Sequence, residues 1–176
     1  MFKLLRKKKI DYLIQSYDRK HSFYDFGNLG NILILFHYRD IKDVELIYND
    51  LKSGGKNVQL WAYADQKSMA IPIPTGMEIK QITSKNISRL GSISTEILTD
   101  FEALQYDTII DLSSSYEYVL YYLLAYNKAK FCVGIRHEDH KLYDFVLVKE
   151  DQMSLNETYQ QLKKYLNNIR ISTNNL

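Results

Sequence analysis

Five consecutive apolar residues, Ile32-Leu33-Ile34-Leu35-Phe36, stand between the polar Asn31 and His37. A strand with one wet face alternates apolar and polar side chains, whereas one that is apolar throughout needs cover on both faces. The run therefore fits a strand inside a parallel sheet, with helices above and below it. Ile34, and Ile110 in a second apolar run, are expected to be nearly inaccessible to solvent.

Helical patterns alternate with strand patterns around this run. Ile10, Leu13, Ile14, Tyr17, His21 and Tyr24 recur at helical spacing and predict a basic N-terminal helix over residues 1–26. Gly27-Asn28-Leu29-Gly30 then breaks the chain. After the Asn31–Tyr38 strand, Asp40 is placed to cap a helix whose Val44, Ile47 and Leu51 share a face and which Gly54-Gly55 closes. Val58–Tyr63 predicts a second strand. A looser segment containing Ile71-Pro72-Ile73-Pro74 follows, then a short strand at Ile79–Ile82. Ile97, Leu98, Phe101 and Leu104 mark a helix, and Asp107–Leu112 a fourth strand. A helix from Ser115 to about Asn127, strands at Lys130–Ile135 and Tyr143–Val148, and a last helix from about Leu155 to Ile169 complete the pattern. Strands separated by helices favour right-handed crossovers and a parallel sheet. The expected fold is a three-layer Rossmann-like α/β domain over residues 27–176. Its sheet is mainly parallel, with five to six strands in the order 3-2-1-4-5, and the 1–26 helix packs on it or extends from it.

The chain has 176 residues, about the size of one domain, and its 45% hydrophobic content excludes disorder as the default. The single cysteine, Cys132, lies in Phe131-Cys132-Val133 and reads as an inert core thiol in a reducing compartment. The longest strongly apolar stretch, Tyr118–Tyr126, is far short of the ~18 residues a membrane span needs. The N-terminus lacks the features of a secretory signal, so a cytoplasmic location is expected. Residues 1–20 carry seven basic and two acidic side chains, against a net charge of +2 for the whole chain. Such an arm suits nucleic acid or an anionic membrane surface. Lys7-Lys8-Lys9 is nevertheless too short to identify a partner and reads as a solvated helix face, so neither partner is expected.

The motifs of the common cofactor sites are absent. A dinucleotide site wants Gly-x-Gly-x-x-Gly after the first strand, where this chain has His37-Tyr38-Arg39-Asp40. Gly54-Gly55-Lys56-Asn57 leads from helix to strand, the reverse of a P-loop. No nucleophile elbow or Cys-x-x-Cys pair occurs. Arg136-His137-Glu138-Asp139-His140 reads as a loop without a spaced third ligand, so no metal is expected. Five of the 15 tyrosines fall at Tyr116, Tyr118, Tyr121, Tyr122 and Tyr126, where packing against the sheet explains them better than base stacking. No catalytic residue and no cofactor is predicted.

Position is the stronger signal. In open parallel sheets ligands sit at the carboxyl ends of the strands, where loops diverge and helix N-termini point inward. Three such ends are polar: His37-Tyr38-Arg39-Asp40, Asp111 with Ser113-Ser114-Ser115, and Arg136-His137-Glu138. The candidate ligand-binding residues are His37, Arg39, Asp111, Ser113, Ser114, Arg136 and His137, a set suited to an anion. Two structural readings stand beside this one. Ser114-x-x-Glu117 has the pattern of a capping box, and Asp40 and Asp111 bring negative charge that could neutralise the two arginines.

The segment Asp107-Thr108-Ile109-Ile110-Asp111-Leu112-Ser113, with Tyr121 to Ile135, Tyr143-Asp144-Phe145 and the closing Tyr165-Leu166, resembles an uncharacterised family of small bacterial proteins. That resemblance implies the fold and no activity. More distantly, the same stretch resembles the N-terminal Rossmann-like domain of heptosyltransferase-type glycosyltransferases. The loop after the first strand departs from those enzymes, and their donor-binding domain has no counterpart here. Function is therefore unassigned at this level. A non-catalytic binding or protein-interaction module is the favoured class, its partner an anionic small molecule or a protein. The alternative is a transferase-like enzyme with an unrecognised or partner-completed site.

Overall fold

A computed structural model describes residues 2–16, 19–137 and 142–168. The apolar run forms β1 (Asn31–His37), in which every residue after Asn31 is buried. It is followed by α2 (Ile41–Ser53), β2 (Asn57–Tyr63) and β3 (Ile79–Ile82), and preceded by α1 (Phe2–Ser16). The second half contains α3 (Thr95–Ala103), β4 (Thr108–Asp111), α4 (Tyr118–Tyr126), β5 (Phe131–Gly134), β6 (Phe145–Val146) and α5 (Leu155–Asn168). All six strands are parallel, in the order β3-β2-β1-β4-β5-β6. This is the expected Rossmann-like arrangement, extended by β6 at the edge.

Alternation along β1 explains the three layers. Ile32, Ile34 and Phe36 face a core built with α2 and α5, including Val44, Ile47, Tyr159 and Leu162. Leu33 and Leu35 face the opposite core, built with α1, α3 and α4. Ile34 sits between Leu60 of β2 and Ile110 of β4, and both isoleucines are fully buried, as expected. Each such side chain contributes about 1.5–3 kcal/mol of burial free energy. No helix among the described residues is long and apolar enough to cross a membrane.

The structure departs from the expected pattern at three places. Helical spacing runs on to Tyr24, but α1 is described to Ser16 and residues 19–24 are not helical. Residues 19–26 are held instead by β5: the Ser22 amide donates to the Lys130 carbonyl, and Phe23 and Tyr24 pack on Phe131. Tertiary contacts thus override a local periodicity. Tyr17 lies outside the described residues.

The second departure is at α4, which begins at Tyr118 rather than Ser115. Its N-cap, Glu117, has extended backbone and receives no capping bond from its side chain, so the Ser114–Glu117 box does not form. Asp40 occupies the N-cap of α2, also without a side-chain capping bond. Finally, a reciprocal cap that was not anticipated opens α5. The Ser154 amide donates to Glu157 at 2.7 Å, and the Glu157 amide to Ser154 Oγ at 3.1 Å.

Candidate functional site

The chain leaves β1 toward α2 on one face and β4 toward α4 on the other. The loops therefore diverge between β1 and β4, the switch point of the sheet. His37, Arg39, Asp111, Ser113, Ser114 and Arg136 all belong to this carboxyl edge, as the sequence implied. They divide into two groups with different surroundings.

The first group centres on Asp111, the last residue of β4. Ile110 belongs to the α2–α5 core, so alternation turns Asp111 to the α4 side, where it is only 1% exposed. A buried carboxylate needs partners for both oxygens, and Asp111 has them. Oδ1 accepts from the Ser113 amide at 2.9 Å and from the Ser113 hydroxyl. Oδ2 accepts from Arg136 Nη2 at 3.2 Å and from the Tyr143 hydroxyl at 2.6 Å. The Arg136 guanidinium also lies over the Tyr121 ring, 5.5 Å from its centroid.

Gly134 makes room for this arrangement. It pairs with Asp111 across the sheet, and the Tyr143 ring lies so close above it that a Cβ would meet ring carbons at 2.5 Å. The ring passes over the bare backbone of β5 to reach the neighbouring strand. Ser113 donates to a carboxylate, but at 1% exposure its hydroxyl is out of reach of a substrate. The cluster is a brace joining β4, β5 and α4.

The second group spans the switch point. His37 is buried at the end of β1, and its Nε2–H donates to the Ser115 carbonyl at 3.1 Å, with Ser115 Oγ also at 3.2 Å. The Tyr63 ring meets the imidazole edge-on from β2. Arg39 Nη2 donates to Ser115 Oγ at 3.4 Å, and its Nε lies 3.9 Å from Asp40. The loop after β4 is thus drawn onto β1, with Ser114, Ser115 and Tyr116 exposed along its crest. Burial pushes the Asp40 carboxyl up, an effect that Arg39 and His37 temper. Burial likewise raises Glu117, again opposed by His37.

His137 is exposed just beyond Arg136, and Glu138, Asp139 and His140 of the histidine-rich loop lie outside the described residues. Among the described residues, no three His, Cys, Asp or Glu side chains are gathered as a metal ion requires. Two hollows lie elsewhere. One of about 50 Å³ is lined by Phe101, Glu102, Leu104, Tyr106, Tyr126 and Lys128 near the amino ends of β4 and β5. Another, about 280 Å³, runs along α1 beside Lys7, Asp11, Ile14 and Gln15. Cys132 is buried and its thiol is pushed up to about 12 by that burial, which keeps it unreactive.

Ser115, named among the polar strand ends, was left out of the candidate set, and Tyr121 and Tyr143 are site members that reasoning from strand ends missed. The same holds for a second buried cluster at the amino end of β5. There Asp144 receives Arg19 Nη1 at 2.7 Å, the Cys132 amide at 2.7 Å and His21 Nδ1 at 2.5 Å. Tyr143 and Asp144 carried part of the sequence resemblance, which was the only signal available for either.

Fold and edge together define an all-parallel, Rossmann-like α/β protein whose carboxyl rim is braced from within. The chain belongs to a family of unknown function, DUF6913, whose model matches residues 3–169. No curated protein and no solved structure matches it.

Proposed function

We propose that this chain is a non-catalytic binding module that recognises an anionic group at the switch point between β1 and β4. Arg39, Ser114 and Ser115 are the contact groups in this reading, while Asp111, Ser113 and Arg136 hold the rim in shape. The carrying observation is the contrast between the two arginines. The Arg136 side chain is 11% exposed and spent on a buried carboxylate, whereas that of Arg39 is 53% exposed and, among the described residues, makes only long contacts, to Ser115 and Asp40. An exposed guanidinium above hydroxyl-bearing residues suits bidentate contact with a phosphate or carboxylate.

The alternative is a transferase-like domain related to the acceptor side of glycosyltransferases and completed by a partner; it rests on the distant sequence resemblance, since the strand order is one that many functions share. The two readings share the switch point and differ in ligand, so one screen addresses both. Phosphorylated metabolites and sugar nucleotides are tested by thermal shift against wild type and Arg39→Ala. A ligand at 100 times its Kd stabilises by ~2.7 kcal/mol, and Arg39→Ala is expected to lose that gain while melting as wild type without ligand. No stabilisation by any anion, or the same stabilisation in Arg39→Ala, overturns the proposal.

A further inference from the structure

Two neighbouring segments carry exposed leucines and cations. The first nine residues contain Lys3, Arg6, Lys7, Lys8 and Lys9 and no acid. Within α1, the face toward the body is formed by Ile10 and Leu13, which are buried against the α3–α4 core. At 100° per residue the opposite face carries Leu4, Lys8 and Tyr12, flanked by Leu5 and Lys7, all exposed. Leu4 is 60% and Tyr12 68% exposed. The only acid on α1 is Asp11.

The second segment is the turn from Ser88 to Ser92, closed by an isolated bridge between Ile87 and Ile93. The Gly91 amide donates to Ser88 O and the Ser88 amide to Ser92 O, at 2.9 and 2.8 Å, with Gly91 in the left-handed region at φ 79°. The turn therefore presents Arg89 and Leu90 at its tip, and Leu90 is 56% exposed. Lys9 Nζ donates to Ser92 Oγ at 2.9 Å. Arg6 stacks on Tyr118, whose hydroxyl donates to the Gly91 carbonyl at 2.7 Å. These contacts fix the turn beside α1.

We propose that the outer face of α1 and the Arg89–Leu90 tip form a docking surface for an anionic lipid bilayer. The leucines are exposed to solvent and suit insertion at the headgroup boundary, while Lys7, Lys8 and Arg89 meet lipid phosphates and carboxylates. A nucleic acid would be met by planar groups and phosphate-spaced cations, and exposed aliphatic tips have no role there. The two elements share a rigid mount, so neither needs to fold on the membrane. This surface is independent of the Arg39 site.

The test is co-sedimentation of the full chain with vesicles of phosphatidylcholine alone or mixed with phosphatidylserine. Wild type is expected to sediment with the mixed vesicles, to be released by added salt, and to stay in solution with phosphatidylcholine alone. Lys7→Gln/Lys8→Gln should weaken partitioning about fivefold per lysine. Leu4→Ser/Leu90→Ser should weaken it independently, with both variants keeping the wild-type melting curve because all four positions are exposed. Failure to sediment with anionic vesicles, equal sedimentation with both kinds, or full binding by the leucine variant overturns the proposal. So does lysine-dependent binding to a DNA duplex without vesicle binding.

Discussion

Replacing Asp111 by alanine removes the acceptor of four hydrogen bonds at once and leaves Arg136 at the rim without its carboxylate. Breaking a buried pair by deleting one partner costs about 3–5 kcal/mol, because the remaining charge keeps its desolvation penalty. The Tyr143 hydroxyl loses a bond to a charged acceptor, separately worth about 1.5–3 kcal/mol. The two losses share one carboxylate and do not add, so about 4 kcal/mol is expected in total. For a domain with a stability of roughly 5–15 kcal/mol this is a large fraction. Urea unfolding followed by far-ultraviolet circular dichroism measures it, with an unchanged slope confirming that the same surface is exposed on unfolding. Tyr143→Phe, which keeps the ring over Gly134, should cost less than half as much. A cost below about 1 kcal/mol for Asp111→Ala would refute the brace, since that is what a solvated surface contact contributes.

Gly134→Ala should destabilise by about 1–3 kcal/mol, because a Cβ 2.5 Å from the Tyr143 ring forces strand and ring apart; a wild-type melting temperature would show that the ring does not sit there. Asp40→Asn should stabilise the protein at neutral pH and lose that advantage in acid. Burial raises the folded-state pKa of Asp40, so wild type is favoured below the ordinary value of 3.8 and loses that contribution as pH rises through the folded value; melting curves across this range read the sign directly. Asp50 behaves oppositely. Burial pushes its carboxyl up, but hydrogen bonds from Lys163 and Tyr159 outweigh this and hold it below 3.8, so its contribution to the α2–α5 contact is present above that value and lost as pH falls through the folded one. Asp50→Asn should therefore destabilise at neutral pH and match wild type in strong acid, and a pH-independent difference would contradict the assignment.

Strand positions and sheet order were legible because each depends on a local signal. An uninterrupted apolar run such as Ile32–Phe36 has few ways to be covered, and intervals long enough for a crossover imply parallel neighbours. The carboxyl edge followed from topology alone. What holds that edge together did not, because Asp111 meets Arg136 and Tyr143 at sequence separations of 25 and 32, and the strand register that aligns them has no local trace. The end of α1 was hidden for a similar reason. Phe23 and Tyr24 have a spacing compatible with a helix, yet their apolar surface is better satisfied by Phe131. The Ser154–Glu157 box, although not anticipated, has a local signature, since Ser-x-x-Glu directly precedes the apolar face of α5. The similar pattern at Ser114–Glu117 fails because Ser115 is already committed to His37 and Arg39.

The central claim is that an anionic ligand meets the switch point through Arg39 and the Ser114–Ser115 crest, with the Asp111 cluster unmoved. Amide chemical shifts of the isotope-labelled chain, followed while titrating the anion that gives the largest thermal shift, test it most directly. The account predicts saturable changes at the amides of Tyr38–Asp40 and Ser114–Glu117, absent in Arg39→Ala, with little change at Cys132 or Gly134. Changes centred on α1, on the Phe101–Lys128 hollow or on the Asp144 cluster instead, or none at the switch point, would contradict it.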